Sequence, residues 1–181
     1  AGTMPPTDAA IAPPPSEDDA GPEEDVGNIF AAWPMPDAFP GSQTTPSYGT
    51  RANAVIDTVT RLEWQAQLPK VYPGCTGMHP NGTQGDCCTW LEAAAYCKIY
   101  GDMFGQTGWR LPTKIELESI VDETKYSPAI DSFYFPATPN HAFWTSTLFT
   151  GLPDNAYYVG FATGLSSFGE TKFKADVRCV R

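Results

Sequence analysis

The chain has 181 residues, enough for one domain with a proper core and, once its unusual N-terminus is set aside, not for two. It carries 21 acids against 11 bases, a net charge of -10, and it has no basic cluster. Nucleic acid is therefore excluded as a partner, because that affinity comes from Lys and Arg displacing counterions from phosphates.

Residues 1–28 hold Asp8, Glu17, Asp18, Asp19, Glu23, Glu24 and Asp25, several prolines and no Lys or Arg. Such a stretch cannot bury enough apolar surface to offset the entropy of ordering, and it reads as an acidic tail. The start AGTMPP has the look of a mature N-terminus left by signal-peptide cleavage, although a recombinant product would begin the same way. Its first residue is not Cys, which argues against an N-terminal lipid anchor. Residues 29–49 mix aromatics with prolines. They read as an extended arm with Ile29, Phe30, Trp33 and Phe39 as anchors, since Pro34, Pro36 and Pro40 forbid a helix and disfavour an interior strand. The folded domain is expected over residues 50–181.

Within it, VIDTV (55–59) and LEWQ (62–65) nearly alternate and predict two strands joined by a tight turn. Residues 69–88 are rich in Pro, Gly and Asn, so they predict an irregular loop that needs an outside constraint. Thr89-Trp90-Leu91-Glu92 fits a capping box, in which a hydroxyl and a carboxylate satisfy exposed amide donors at a helix start. The helix runs through LEAAAYCKIY with Leu91, Ala94, Ala95 and Lys98 on one side. Thr113-Lys114-Ile115-Glu116 is a second capping box directly after Pro112, with Leu117, Ile120 and Val121 as the buried stripe. From residue 143 the segments FWTSTL, AYYVGF and KADVRCV predict strands, with turns at Gly151 and at TGLSSFG (163–169). Two helices followed by antiparallel strands make an α+β pattern. No run of about 18 apolar residues and no basic amphipathic helix is present, so membrane insertion is not expected.

The blocks VIDTVTRLEWQ (55–65), CTWLEAAAYC (88–97), GWRLPTKIELESIVD (108–122), AIDSFYFPAT (129–138), FWTST (143–147), AYYVGFATG (156–164) and VRCVR (177–181) carry a resemblance. The chain resembles the bacterial DUF1566 family, also called the Lcl C-terminal domain family, over most of residues 50–181. The resemblance implies a fold similar to C-type lectins and formylglycine-generating enzymes, with two helices against a twisted antiparallel sheet. It also implies a secreted adhesion or surface role. Sulfated-glycan binding in the family uses a basic surface; this sequence lacks that excess, and its acidic tail would repel such a ligand.

The family pattern further implies pairing of Cys97 with Cys179, a closure worth about 4 kcal/mol in the chain-entropy model. Cys75 then has two candidate partners, Cys87 and Cys88. Adjacent residues point in different directions, so one of them fits. Cys88, directly before the helix cap, is favoured, which leaves Cys87 as an unpaired or intermolecular thiol in a chain with 5 cysteines. Zinc binding by this pair fits poorly, because paired zinc cysteines are spaced by intervening residues. No metal is assigned.

Other candidate chemistry is sparse. His79 and His141 read as exposed loop histidines, with His141, Trp144, Asp154, Asn155 and Tyr158 kept as candidate ligand-binding residues. Trp109, Arg110 and Glu116 read as a structural motif, in which Arg110 braces carbonyls or a carboxylate such as Glu116 or Asp122. Calcium at Asp131, Asp154 and Asn155 is the one candidate cofactor, without the dense spacing of a preformed site. The absence of GxSxG, HExxH and phosphate-loop motifs points away from an enzyme. The expectation is a secreted, non-enzymatic surface protein whose copies assemble through the arm. The alternative is a glycan-binding module.

Overall fold

The computed structural model describes residues 48–103 and 105–181. The acidic tail and the arm anchors Ile29, Phe30, Trp33 and Phe39 lie outside the described residues.

Among the described residues, two three-stranded antiparallel sheets and two helices make a small α+β fold. The first sheet runs β1 (Tyr48–Arg51), β2 (Ala54–Asp57), β3 (Glu63–Gln65), in that spatial order. Strand β1 was not expected: Tyr48 is buried and pairs opposite Asp57, so the domain begins inside the stretch assigned to the arm. Asp57 builds the β2–β3 turn, its carboxylate accepting from the Val59 and Thr60 amides at 2.8 and 3.3 Å and from the Thr60 hydroxyl at 2.6 Å. This is the local side-chain bonding that makes Asp a turn residue.

Helix α1 (Trp90–Met103) starts at Thr89, whose amide donates to Glu92 at 2.8 Å while its hydroxyl accepts from the Glu92 amide at 3.4 Å. Its buried stripe is Ala93, Tyr96, Cys97 and Tyr100, the i, i+3, i+4, i+7 pattern of a helix lying on a core. The side holding Leu91, Ala95 and Lys98 faces solvent. Helix α2 (Lys114–Glu118) is a single turn opened by the full Thr113–Glu116 capping box. Leu117 and Ile120 are buried beneath it, Ile120 just past the helix end.

The second sheet is ordered β4 (Ala142–Leu148), β5 (Asn155–Gly160), β6 (Leu165–Glu170). Strand β6 occupies most of the stretch read as a turn. The turn is confined to its start, where Gly164 takes φ +78°, and the residues after it pair in register with β5. One core cluster, with Tyr72, Tyr96, Trp109, Trp144 and Ala156, lies toward α1; the other, with Trp64, Leu117, Phe143, Val159 and Phe161, lies toward α2. Since Trp144 and Phe143 alternate along β4, the two clusters occupy opposite faces of this sheet.

The C-terminal run was expected as a strand. It makes isolated bridges instead, Ala175 with Cys88, Asp176 with Phe143, and Val180 with both Trp64 and Arg110. Arg178 is fully buried here. Its guanidinium donates to the carbonyls of Gln65 and Ala66 at 2.5 and 3.1 Å and to the Thr138 hydroxyl at 2.6 Å, and it lies 4.9 Å from the Phe135 ring centroid. Burial lowers its pKa to about 10.

Candidate functional site

Two disulfides fix the segments around the site. Cys97 is bonded to Cys179 with Cα atoms 5.4 Å apart, tying α1 to the C-terminal run. Cys75 is bonded to Cys88 across 4.9 Å, closing the irregular loop. Cys87 is free and fully buried. Burial, together with the Asp86 carboxylate beside it, pushes its thiol up to about 12. A buried, protonated thiol is neither a nucleophile nor ready to bridge another chain.

The closed loop presents His79. Its backbone amide donates to Asp86 Oδ1 at 2.8 Å, and Asp86 Oδ2 accepts from the Thr83 amide at 2.7 Å. The Gly82 amide donates to the His79 carbonyl at 2.9 Å. Gly77 runs so close to Cys87 that a Cβ there would lie 2.5 Å from the Cys87 carbonyl oxygen, so this crossing accepts only glycine without a shift.

His141 stands immediately before β4. Its carbonyl accepts from the Phe161 amide at 2.9 Å. Asp176 is zipped to the same strand, its amide donating to the Ala142 carbonyl at 2.9 Å and its carbonyl accepting from the Trp144 amide at 3.1 Å.

These three segments bring both histidines of the chain onto one carboxylate oxygen. His79 Nε2 lies 3.1 Å and His141 Nδ1 2.9 Å from Asp176 Oδ2, and the imidazole centroids are 4.2 Å apart. The other oxygen, Oδ1, accepts from the Tyr72 hydroxyl at 3.1 Å. That hydroxyl in turn accepts from the Val177 amide at 3.3 Å. Burial holds the Asp176 carboxyl above the usual range, although the two imidazoles and Tyr72 pull the other way.

The cluster is enclosed on one side and open on the other. The Asp176 side chain is 6% exposed, that of His79 22% and that of His141 41%. A cleft of about 360 Å³ reaches Asp176 past Tyr72 and Asp86. A wider one of about 500 Å³ is lined by Met78, Phe173, Lys172 and Lys174, and both clefts include His79 and His141. The arrangement offers two imidazole nitrogens and a carboxylate oxygen converging at the floor of an accessible cleft, a donor set able to hold a cation. His79, Asp86 and Cys87 form a second three-donor group that shares His79.

The other expected site residues fall elsewhere. Trp144 is a correction: it is fully buried, with its indole N–H donating to the Cys88 carbonyl at 2.9 Å, and it packs the core rather than meeting a ligand. Tyr158 is partly exposed and tilted against Phe173, 5.9 Å between centroids, in a shallow cleft with Glu170 and Lys172. Asn155 opens β5 and Asp154 directly precedes it, roughly 17 Å from the end of that strand that faces His141. Asp131 binds the Phe133 amide at 2.9 Å and has Lys125 3.7 Å away. Among the described residues neither Asp131 nor Asp154 joins a three-donor cluster. Arg110 makes a two-pronged pair with Glu116 at 2.6 and 2.7 Å, beside the buried Trp109.

Residues 53–181 match the family model of the Lcl C-terminal domain, and the chain belongs to that family. Among curated proteins none matches the chain.

Proposed function

We propose, with membership of the Lcl C-terminal domain family as the premise, that this is a secreted, non-enzymatic surface protein of bacterial type. Its copies assemble into a structural or adhesive layer through a C-type-lectin-like domain. Two disulfides support an oxidising, extracellular setting, and no described helix is long and apolar enough to cross a membrane.

The observation that carries assembly is the outer edge of β6. It is the terminal strand of its sheet, and among the described residues no strand pairs with that edge. Leu165 is 71% exposed, and Phe168 is also exposed and stacked on Phe149 at 4.0 Å. An unpaired edge carrying apolar side chains is a template for another chain. The occupant we assign is the arm of a neighbouring copy, residues 29–47, whose Ile29, Phe30, Trp33 and Phe39 supply apolar anchors. Light scattering of the full chain, a form lacking residues 1–47 and Leu165→Lys tests this. The full chain assembles, while the other two run as monomers. A truncated form that assembles as the full chain does removes the arm from the account. The cut falls at 47 because Tyr48 belongs to β1.

A second reading, glycan binding, is favoured by the Tyr158–Phe173 cleft, where partly exposed rings lie beside Glu170 and Lys172. Sugar rings stack on such aromatic faces while polar neighbours fix their hydroxyls. A glycan array with the wild type and Phe173→Ala checks it; a signal that Phe173→Ala leaves unchanged excludes this cleft.

A further inference from the structure

We propose that His79, His141 and Asp176 bind one divalent transition-metal ion of the zinc class, with an open coordination position facing the cleft. This goes beyond the assembly reading and does not depend on it.

The donor geometry is close to what such an ion needs. With metal–nitrogen and metal–oxygen bonds of about 2.0–2.2 Å, ligand atoms around a tetrahedral ion stand roughly 3.3 Å apart. Here the two nitrogen-to-oxygen separations are 3.1 and 2.9 Å. A small outward rotation of the two rings, which have solvent on one side, opens that space. Both nitrogens lie within reach of the same oxygen, and the three donor atoms all fall within 4.8 Å of one another.

The electrostatics point the same way. Asp176 is nearly buried, and its ion-pair partners among the described residues are the two imidazoles. An ionised carboxylate held this far from water needs compensation. Hydrogen bonds to the two imidazoles meet part of that need, and a divalent ion among the three groups supplies positive charge. Tyr72 completes the arrangement by holding Oδ1 with its hydroxyl, leaving Oδ2 directed at the histidines. Such a supporting hydrogen bond orients a metal-binding carboxylate. The element class follows from the donors: two imidazoles with one carboxylate suit zinc and its neighbours, while calcium and magnesium demand oxygen shells. The fourth position opens toward the cleft bordered by Lys172 and Lys174, where water or an anionic group of a partner can complete the shell.

The test uses the full chain, free of any polyhistidine tag, stripped with a chelator and titrated with Zn²⁺ by calorimetry and with Co²⁺ by visible absorption. The expected result is saturation at one ion per chain and a Co²⁺ spectrum without thiolate charge transfer. Affinity falls about 100-fold or more in His79→Ala and in His141→Ala, and about 10-fold with unchanged stoichiometry in Tyr72→Phe. His141→Ala lies on the open side of the cluster, and circular dichroism verifies that it keeps its fold. Wild-type binding no tighter than that of a His79→Ala/His141→Ala double variant overturns the proposal. So does binding that survives His141→Ala, disappears in Cys87→Ser and shows a thiolate band, since it moves the ion to His79, Asp86 and Cys87.

Discussion

Two of the stretches of this domain that lack regular secondary structure are held in different ways. The C-terminal run is buried from Ala175 to Val180 and is fixed by backbone bridges to Cys88, Phe143, Arg110 and Trp64, in the middle of both core clusters. The loop at 69–88 lies largely at the surface, with Lys70, Pro73, Met78 and Thr83 among its exposed positions. It is fixed by the Cys75–Cys88 bond, the Asp86 carboxylate and the tight Gly77 crossing. Where apolar burial is available, the backbone finds partners along the whole run, and the covalent tie it carries is the long-range Cys97–Cys179 bond to α1 rather than a local closure. Where it is not, a covalent closure and turn residues replace it. The candidate metal site is built across both, with Asp176 from the first and His79 from the second, so its geometry depends on each kind of support.

The largest effect expected from this comparison is the loss of the Cys97–Cys179 bond, which spans 82 positions. A Cys97→Ala/Cys179→Ala protein is expected to lose about 4 kcal/mol of stability in denaturant unfolding. Its hydrogen-exchange protection should fall across the whole domain, because the run it anchors bridges β3, β4 and the segments around Cys88 and Arg110 and contributes to both core clusters. Removing the 13-position closure instead, as Cys75→Ser/Cys88→Ser, costs about 3 kcal/mol in the same loop-entropy treatment. Here the exchange should rise first at residues 70–87, and Zn²⁺ affinity should drop with His79 no longer held. If both variants loosen the same residues, the contrast between burial and covalent closure is wrong.

Arg178 sharpens the same contrast on a smaller scale. Arg178→Met keeps the bulk and removes a buried charge, which is favourable, but it leaves the Gln65 and Ala66 carbonyls without their donor. The net loss expected is about 2 kcal/mol, read as a lower unfolding midpoint with an unchanged denaturant slope. A neutral or stabilising result would mean that apolar packing alone seats the C-terminal run.

Much of the frame was legible in the residues. Both helix starts could be read because a capping box is a local pattern whose donors and acceptors lie three positions apart. The alternation in β4 and β5 is equally local. Strand β6 was missed because Gly164 and two serines outweighed Leu165 and Phe168, while what makes it a strand is pairing with β5. The WRLPT block drew attention to Arg110, which lies at the surface with Glu116, and away from Arg178, which the core encloses. The metal cluster was invisible for a plainer reason. Asp176 lies 97 positions from His79 and 35 from His141, and nothing in the spacing records that β4 pairs with the C-terminal run or that a disulfide folds the loop back. Two histidines in separate Pro-flanked loops read as solvent-exposed, and no local pattern joins them.

The smallest expected effect concerns Glu116, the surface counterpart of these buried supports. Arg110 beside it, helped by the Thr113 amide and hydroxyl, holds its carboxyl at about 2 against an ordinary 4.5. A depressed folded-state value means that the ionised form stabilises the fold above the unfolded-state value, and that this contribution fades as pH falls from about 4.5 through the folded value. Its size is limited because the Arg110 side chain is 47% exposed, and solvent screening keeps such pairs below about 1 kcal/mol. The difference in unfolding free energy between the wild type and Glu116→Gln should therefore be small and constant from pH 7 to pH 5 and shrink below it. It should also narrow in high salt, which screens exposed charges. A difference that persists at the lowest pH would instead assign Glu116 to packing at the start of α2.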